Sequence, residues 1–447
     1  MSDRLIAPGE SFASVTDRVT GIVFDPPHRL GWWLLMLLAL ALVGLGTLAI
    51  GWLFVAGIGI WGINIPVAWG FAISNYVWWI GMASGGTMIS SLFHVMRADW
   101  RSSVNRLAET MTLFAAACAG IFPILHLGRP YYFYWLFPYP NVMGLWPQFR
   151  SPLLWDFFAI LTYVLCSILF WYVGLIPDLA TMRDRAPSRA GQIVYGLLAL
   201  GWRGSALQWL RYQSAYRVLA GLMGPLVISV HSIVGLDFAG GLTPGWHSTQ
   251  YPPFFVFGAV LSGFGIVLML AIPLRRAYRL EALITPRHLD ILARLTLLSS
   301  LAVGYAYAMD LFTAFYGDSR YDHDLALDRL IGHYAPLFWI TILCNLLLPQ
   351  ALWWRRVRQD TRLLLVIGAS VVLGMWCERI LIVLQSLAHE YEPSRWGLFH
   401  PTFWDWATLL GTIGLFLAGL LLLLRLLPAL SLFELRDLLA RRGAAHG

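Results

Sequence analysis

Ten long apolar runs, separated by short arginine-rich or aromatic connections, decide what this chain can become. They cover about 31–55, 66–95, 107–128, 152–175, 216–240, 252–273, 290–316, 334–352, 361–388 and 403–427. A helix needs about 20 apolar residues to cross the hydrocarbon of a bilayer, and it satisfies its backbone groups within one segment. Of 447 residues, 58% are hydrophobic and only 12% charged, so no water-soluble core could absorb the apolar surface. Cytosolic enzymes, secreted modules and nucleic-acid binders are excluded. The expected fold is an all-α polytopic membrane protein of about ten transmembrane helices. A cytoplasmic N-terminal tail (1–30) precedes the ten-helix membrane domain (31–427), and a cytoplasmic C-terminal tail (428–447) follows it. The first run is too long for a signal-peptide core and lacks a convincing cleavage site, so it is expected to remain as the first span.

The net charge of +7 is carried by arginine alone, because the chain contains no lysine. The arginines alternate between connections. The N-terminal tail has Arg4, Arg18 and Arg29, and the second connection Arg97, Arg101 and Arg106. The fourth has Arg183, Arg185, Arg189, Arg203 and Arg211, and the sixth Arg275, Arg276, Arg279 and Arg287. The eighth has Arg355, Arg356 and Arg358, and the C-terminal tail Arg436, Arg441 and Arg442. The odd connections are poor in arginine. The positive-inside rule then puts both termini in the cytoplasm of a bacterial inner membrane, in keeping with an even number of spans. The aromatic, proline-rich third connection, 129–151, falls on the periplasmic face. With Trp246 and His247 in the fifth connection and Trp396 and His400 in the ninth, it offers a docking floor for an extrinsic protein. On composition alone an interfacial aromatic belt accounts for it equally well.

Cys118, Cys166, Cys344 and Cys377 lie inside apolar runs and form no CxxC or CxxCH. Covalent haem, zinc and an iron–sulfur cluster ligated by this chain are therefore not expected. No helix carries the paired inward histidines of a two-haem bundle, and no metal site is expected.

An ionisable residue in the hydrocarbon costs about 2.5–3.5 kcal/mol on insertion scales, so each one needs a reason. His126 near the end of the third span and Asp156 near the start of the fourth fall at one depth, where they could meet. A His–carboxylate pair is what quinol oxidation needs, since a base must take each departing proton; the structural alternative is a polar clamp between two helices. His231 and Asp237 on the fifth span are six residues apart and do not share a helix face, so they form no site together. They are candidate steps of a proton relay, or a packing hydrogen bond and an interfacial residue. Glu378 and Arg379 on the ninth span are either an internal ion pair or a protonation switch. Tyr307 and Asp310 on the seventh, three apart on one face, extend a polar line, with Tyr305 beside them. The cytoplasmic half offers mainly hydroxyls such as Ser299 and Ser300, and no obvious acid.

The stretch Ile63–Gly81, with Pro66, Trp69, Asn75, Tyr76, Trp78 and Trp79, resembles the polysulfide-reductase membrane-subunit (NrfD-like) family. So do His126-Leu127-Gly128-Arg129-Pro130 and Arg150-Ser151-Pro152-Leu153-Leu154-Trp155-Asp156. Trp202-Arg203-Gly204-Ser205, the segment Ser229–Phe238 and Trp376-Cys377-Glu378-Arg379 look more like the large quinol-binding membrane subunit of bacterial alternative complex III. The resemblance runs from about residue 58 to 427. It implies two four-helix bundles plus two extra helices, and a menaquinol or ubiquinol site near the periplasmic face. It also implies that this chain holds no cofactor of its own. Electrons would pass to iron–sulfur clusters in a periplasmic molybdoenzyme-like partner and then to multihaem cytochrome c subunits, beside a paralogous membrane subunit. By motif, His126 and Asp156 match the quinol-site residues, with Arg129, Tyr131 and Trp135 of the aromatic loop roofing the pocket. His231, Asp237, Glu378 and Arg379 match proton-path residues. The competing readings are a quinone-reactive anchor of a molybdenum oxidoreductase, a non-catalytic structural membrane subunit, and a secondary transporter. The transporter lacks support from inverted repeats or broken helices.

Overall fold

The computed structural model describes residues 5–26, 29–137, 144 and 148–444, and among these every regular element is helical. Helix α1 (Phe12–Phe24) is opened by a reciprocal Ser11–Ser14 cap, and α2 (Arg29–Ala56) is the first span. Then come α3 (Phe71–Val95), α4 (Asn105–His126), α5 (Pro152–Arg185), α6 (Arg189–Leu198) and α7 (Ala206–Ala239). They are followed by α8 (Tyr251–Ala277), α9 (Pro286–Tyr316), α10 (Arg320–Ile331) and α11 (Ala335–Ile342). Helix α11 runs on through a π turn (Leu343–Leu347) and a 3-10 turn (Leu348–Trp353). The chain ends in α12 (Arg355–Gln359), α13 (Thr361–Ala388), α14 (Phe403–Leu426) and α15 (Leu432–Ala444).

Nine of these segments are long and apolar enough to cross a membrane, one fewer than the ten expected. The difference is α3, in the place of the run at 66–95. At 25 residues it is long enough, but Asn75, Ser84, Gly85, Gly86, Thr87, Ser90 and Ser91 dilute its apolarity. Those residues are buried, because α3 is the central helix, packed against α4, α7, α8 and α13. A helix surrounded by protein needs close packing more than it needs lipid-compatible side chains.

Helices α3, α4, α5 and α7 form one four-helix group, and α8, α9, α11 and α13 form a second. The groups meet where α3 lies on α8, and Gly85 and Gly263 allow it: a Cβ on Gly85 would stand 2.5 Å from the Gly263 Cα. The remaining pair, α2 and α14, meets through Gly46 and Gly411 in the same way. The implied plan of two bundles plus two helices thus describes the helix neighbours. Indole N–H groups pin the groups together: Trp78 donates to the Val372 carbonyl at 3.1 Å and Trp79 to Thr412 at 3.0 Å. Trp376 donates to Asn75 Oδ1 at 2.8 Å.

Several connections are more ordered than expected. Helices α5 and α7 have 34 residues each, about 51 Å, so they run well beyond the spans at 152–175 and 216–240. Both tails contain helices rather than only polar chain. Helix α1 packs on α14 and α15, and Arg436 of α15 donates to Thr16 Oγ1 at 2.5 Å. These helices gather at the arginine-rich end, where the Ala7 amide bonds the Ala282 carbonyl at 2.9 Å. The opposite, aromatic end is tied by the Gly62 amide on Asp405 at 2.8 Å and by the Gly245 amide on Asp322 at 2.9 Å.

Candidate functional site

At the aromatic end, four helix termini converge. The first turns of α3 bring Tyr76, α5 brings Asp156 one turn after Pro152, α4 ends at His126, and α7 nears its end at Asp237. Tyr76 is buried and its hydroxyl donates to Asp156 Oδ2. Asp237 lies close enough for its charge to act on Asp156 and Tyr76. His126 and Asp156, expected to meet, are not bonded to each other among the described residues. Asp156 is taken by Tyr76, and the His126 ring stands edge-on to Trp69 with centroids 6.3 Å apart. Trp69 in turn meets Phe238 at 6.1 Å and Trp246 at 5.5 Å, so three rings line the space beside His126.

Three buried polar atoms there have no hydrogen-bond partner among the described residues: His126 Nδ1, Asp156 Oδ1 and Asp237 Oδ1. Leaving a buried polar atom unpaired costs about 1–3 kcal/mol, so three such atoms around one aromatic wall are a candidate place for a polar ligand. The roof expected from Arg129, Tyr131 and Trp135 is arranged differently. They belong to the 3-10 segment Pro130–Leu136 and its lead-in, where all three are exposed, and Tyr132 packs against Tyr131 and Trp135 at 4.7 and 4.9 Å. Positions 138–143 and 145–147 of that loop lie outside the described residues.

A second polar group occupies the middle of the other bundle. Arg379 pairs with its neighbour Glu378 at 3.0 Å and lies over the Phe255 ring at 4.1 Å. Gly258 makes room for it, since a Cβ there would stand 2.5 Å from Arg379 Nη2. Glu378 Oε2 accepts from Tyr307, whose oxygen accepts from Asn345 Nδ2 at 2.8 Å. Asn345 sits in the π turn, a distortion frequent at functional sites. Pro349, four residues on, has no N–H for the Asn345 carbonyl, and Ser300 donates to that carbonyl instead at 2.6 Å. Asp310, one turn from Tyr307, pairs with Arg329 of α10 and accepts from Gln250 at 3.3 Å. Tyr307, Glu378, Asp310 and Arg329 line one narrow cleft. A further cavity carries Asp310 and Arg329 to His247 and Asp322 at the surface, 3.3 Å apart. Tyr305 points away and is 67% exposed.

His231 and Asp237 take separate places. Asp237 belongs with Asp156, whereas His231 lies within reach of the Arg379 charge. Neither ring nitrogen of His231 has a hydrogen-bond partner among the described residues, and a Cβ on Gly81 would stand 3.9 Å from its Nε2.

The arginine-rich end is not confined to hydroxyls. Glu109 on α4 and Asp178 on α5 are both buried there, held by Arg106 at 3.0 Å each. Tyr216 of α7 donates to Glu109 at 2.7 Å, and Asp178 Oδ1 accepts the Phe433 amide of α15 at 3.0 Å. Glu109 stands at the start of the run at 107–128 and Asp178 just past the run at 152–175, where each reads as the edge of a loop, and this hid them in the sequence. Tyr76 was hidden among aromatics, and Asn345 by its apolar neighbours.

This is a polytopic helical membrane protein with buried carboxylates at both ends and a ring-lined polar site at one of them. Residues 61–389 match the family model described as polysulphide reductase, NrfD, and the chain belongs to that family. It is 29% identical over 248 residues to a putative dimethyl sulfoxide reductase membrane subunit of Halobacterium salinarum, covering 51% of this chain and 52% of the relative. It is 24% identical over 383 residues to a selenate reductase subunit of Mesobacillus selenatarsenatis, covering 81% and 86%. It is 23% identical over 358 residues to a probable Ni/Fe-hydrogenase 2 b-type cytochrome subunit of Escherichia coli, covering 80% and 82%. The chain thus spans about half the length of the first of these relatives and most of the other two. The relatives are named as subunits of redox enzymes, so the family ties this membrane protein to oxidoreductase complexes.

Proposed function

We propose that this chain is the quinol-oxidising membrane subunit of an electron-transfer complex of the alternative complex III type. The observation that carries the reading is the set of unpaired atoms His126 Nδ1, Asp156 Oδ1 and Asp237 Oδ1 beside Trp69. A quinol headgroup is an aromatic ring with two hydroxyls, so it needs a stacking surface and two hydrogen-bonding partners. Oxidation to the quinone releases two electrons and two protons. Neutral His126 takes one proton and Asp156 the other, with Tyr76 holding the carboxylate in place. Asp237 offers the next carboxylate toward the aromatic surface.

The substrate is menaquinol or ubiquinol. The electrons leave to iron–sulfur clusters of a molybdoenzyme-like periplasmic partner at the aromatic end and then to c-type haem in multihaem cytochrome subunits. In this reading the chain holds no cofactor of its own; His126, at the end of α4, lies beside Trp69, and His231, buried in α7, lies beside Gly81. The complex lies in the bacterial inner membrane with a paralogous membrane subunit. Both tails, 1–30 and 428–447, are cytoplasmic and flank the membrane domain 31–427. The line from His247 through Asp310, Tyr307 and Glu378 toward His231 conducts protons over the aromatic half of the bundle.

The names of two relatives favour a second reading, a quinone-reactive anchor of a terminal reductase. Both readings use the same quinol site and differ in the partner. Purification of the native complex decides between them: multihaem cytochromes copurify in the first case and are absent in the second. The site itself is tested by the quinol:acceptor activity of His126→Ala and Asp156→Asn in complexes that still assemble. Wild-type turnover and unaltered quinol affinity in both would show that the pair is structural.

A further inference from the structure

At the arginine-rich end, a cavity of about 470 Å³ opens between the end of α3, the first half of α7 and α15. Its acids are already engaged. Glu434 pairs with Arg101 at 2.5 Å, and Arg441 reaches Asp437 at 2.6 Å and Asp99 at 3.8 Å. His94 is tied to the Arg101 guanidinium at 2.5 Å. Two further arginines line the cavity, Arg97 and Arg217, and neither makes an ion pair or side-chain hydrogen bond among the described residues. Arg97 also ends α3 at φ 55°, in the left-handed region. Glycine takes that conformation freely, whereas a residue with a side chain is strained there. The chain carries that strain where the side chain enters the cavity.

From Arg217 an open lane runs along α7 toward the middle of the membrane. Gly221, Gly224 and Ile228 follow Arg217 on one helix face. A Cβ on either glycine would meet nothing within 4 Å, and Ile228 is 47% exposed. Val218 and Leu222 flank the lane and are exposed as well. Unpaired cations at the headgroup level above an apolar lane fit one kind of molecule.

We propose that this cavity binds an anionic phospholipid, its phosphate between Arg97 and Arg217 and an acyl chain along Gly221 and Gly224. The inference is independent of the quinol site, which lies at the other end of the bundle.

The test uses the native complex, stripped of lipid in detergent and incubated with mixed phosphatidylglycerol–phosphatidylcholine vesicles, with retained lipid counted by native mass spectrometry. Wild type retains phosphatidylglycerol in preference to phosphatidylcholine. The double variant Arg97→Gln/Arg217→Gln loses about thirtyfold in phosphatidylglycerol affinity, from about 1 kcal/mol per arginine. Both side chains are exposed and unbonded, so the fold survives the change. Gly221→Phe fills the lane, keeps both charges and also lowers retention. Equal retention of the two lipids, or equal phosphatidylglycerol in wild type and the double variant, would overturn the proposal. So would displacement by excess inorganic phosphate with Gly221→Phe behaving as wild type, which would make the cavity a free-anion site.

Discussion

The hydroxyl of Tyr76 donates to one oxygen of Asp156 across 80 residues of sequence, and the other oxygen is left buried with no partner among the described residues. One half of the carboxylate is thereby fixed by α3, and the other half is presented to whatever enters beside His126 and Trp69. In the proposed quinol site, a carboxylate held this way is oriented before the quinol arrives, which lowers the entropy cost of the proton transfer.

Removing the acid while keeping its shape isolates its chemistry. Asp156→Asn is expected to lower quinol:acceptor turnover by about a hundredfold or more, the usual worth of a positioned base. Tyr76→Phe removes only the orienting bond. Hydrogen bonds to charged groups are worth about 1.5–3 kcal/mol, so a loss of about tenfold to a hundredfold is expected. Steady-state kinetics on assembled complexes check both. Unchanged rates in either variant would reduce that residue to a helix clamp.

Glu378 sits between Tyr307 and Arg379 in the middle of the proposed proton line. Glu378→Gln keeps the hydrogen bonds and removes the titratable charge. The expected result in liposomes is a lower ratio of protons moved per electron, with quinol oxidation still running. An unchanged ratio would leave Glu378 as the counter-ion of Arg379 alone.

Ser300 is expected to matter for stability rather than rate. Its hydroxyl is what satisfies the Asn345 carbonyl opposite Pro349. Ser300→Ala leaves that carbonyl buried and unpaired, at a cost of about 1–3 kcal/mol. A lower Tm of the complex, read by thermal unfolding in detergent, with the π turn loosened in hydrogen exchange, is the expected outcome.

The glycine contact between α2 and α14 admits no side chain, since a Cβ on Gly411 would stand 2.4 Å from the Gly46 Cα. Gly411→Leu is expected to cost about 1–3 kcal/mol by overpacking, or to separate the pair. Cysteine cross-linking between the two helices reports the separation, and retained wild-type cross-linking would contradict it.

The alternation of arginines predicts which ends face which compartment. Reporter fusions at 60, 245 and 395 should read periplasmic, and fusions at 100, 190, 280 and 357 cytoplasmic. A consistent inversion would move the quinol site to the other side of the membrane.

The long apolar runs were legible because hydrocarbon imposes length and composition on any helix that faces it. Helix α3 was legible as a run but falls short in apolarity, because it faces protein and its small polar residues serve packing. The intramembrane ionisable residues stood out singly, since each is costly alone. Their partners did not. His126 and Asp156 share a depth, yet Tyr76 claims the carboxylate and Trp69 faces the imidazole. Contacts across 80 or more residues depend on how helices turn about their axes, which periodicity leaves open where nearly every position is apolar. Glu109 and Asp178 were missed for a related reason: a charge at the end of an apolar run looks solvated until a second element covers it. That element is α15, whose Leu432, Leu435 and Leu438 are buried while Arg441 is exposed.

The bond between the Phe433 amide and Asp178, with that between Glu434 and Arg101, sets an order on the making of this protein. Helix α15 follows the last candidate span in the chain. Asp178 therefore lacks the Phe433 amide at the arginine-rich end until α15 docks. Docking of this amphipathic helix is a step apart from threading of the spans, and it is what dries a charged interior. A chain cut short before residue 432 would be threaded correctly and remain unsealed, a defect visible to quality-control proteases and invisible to the insertion machinery.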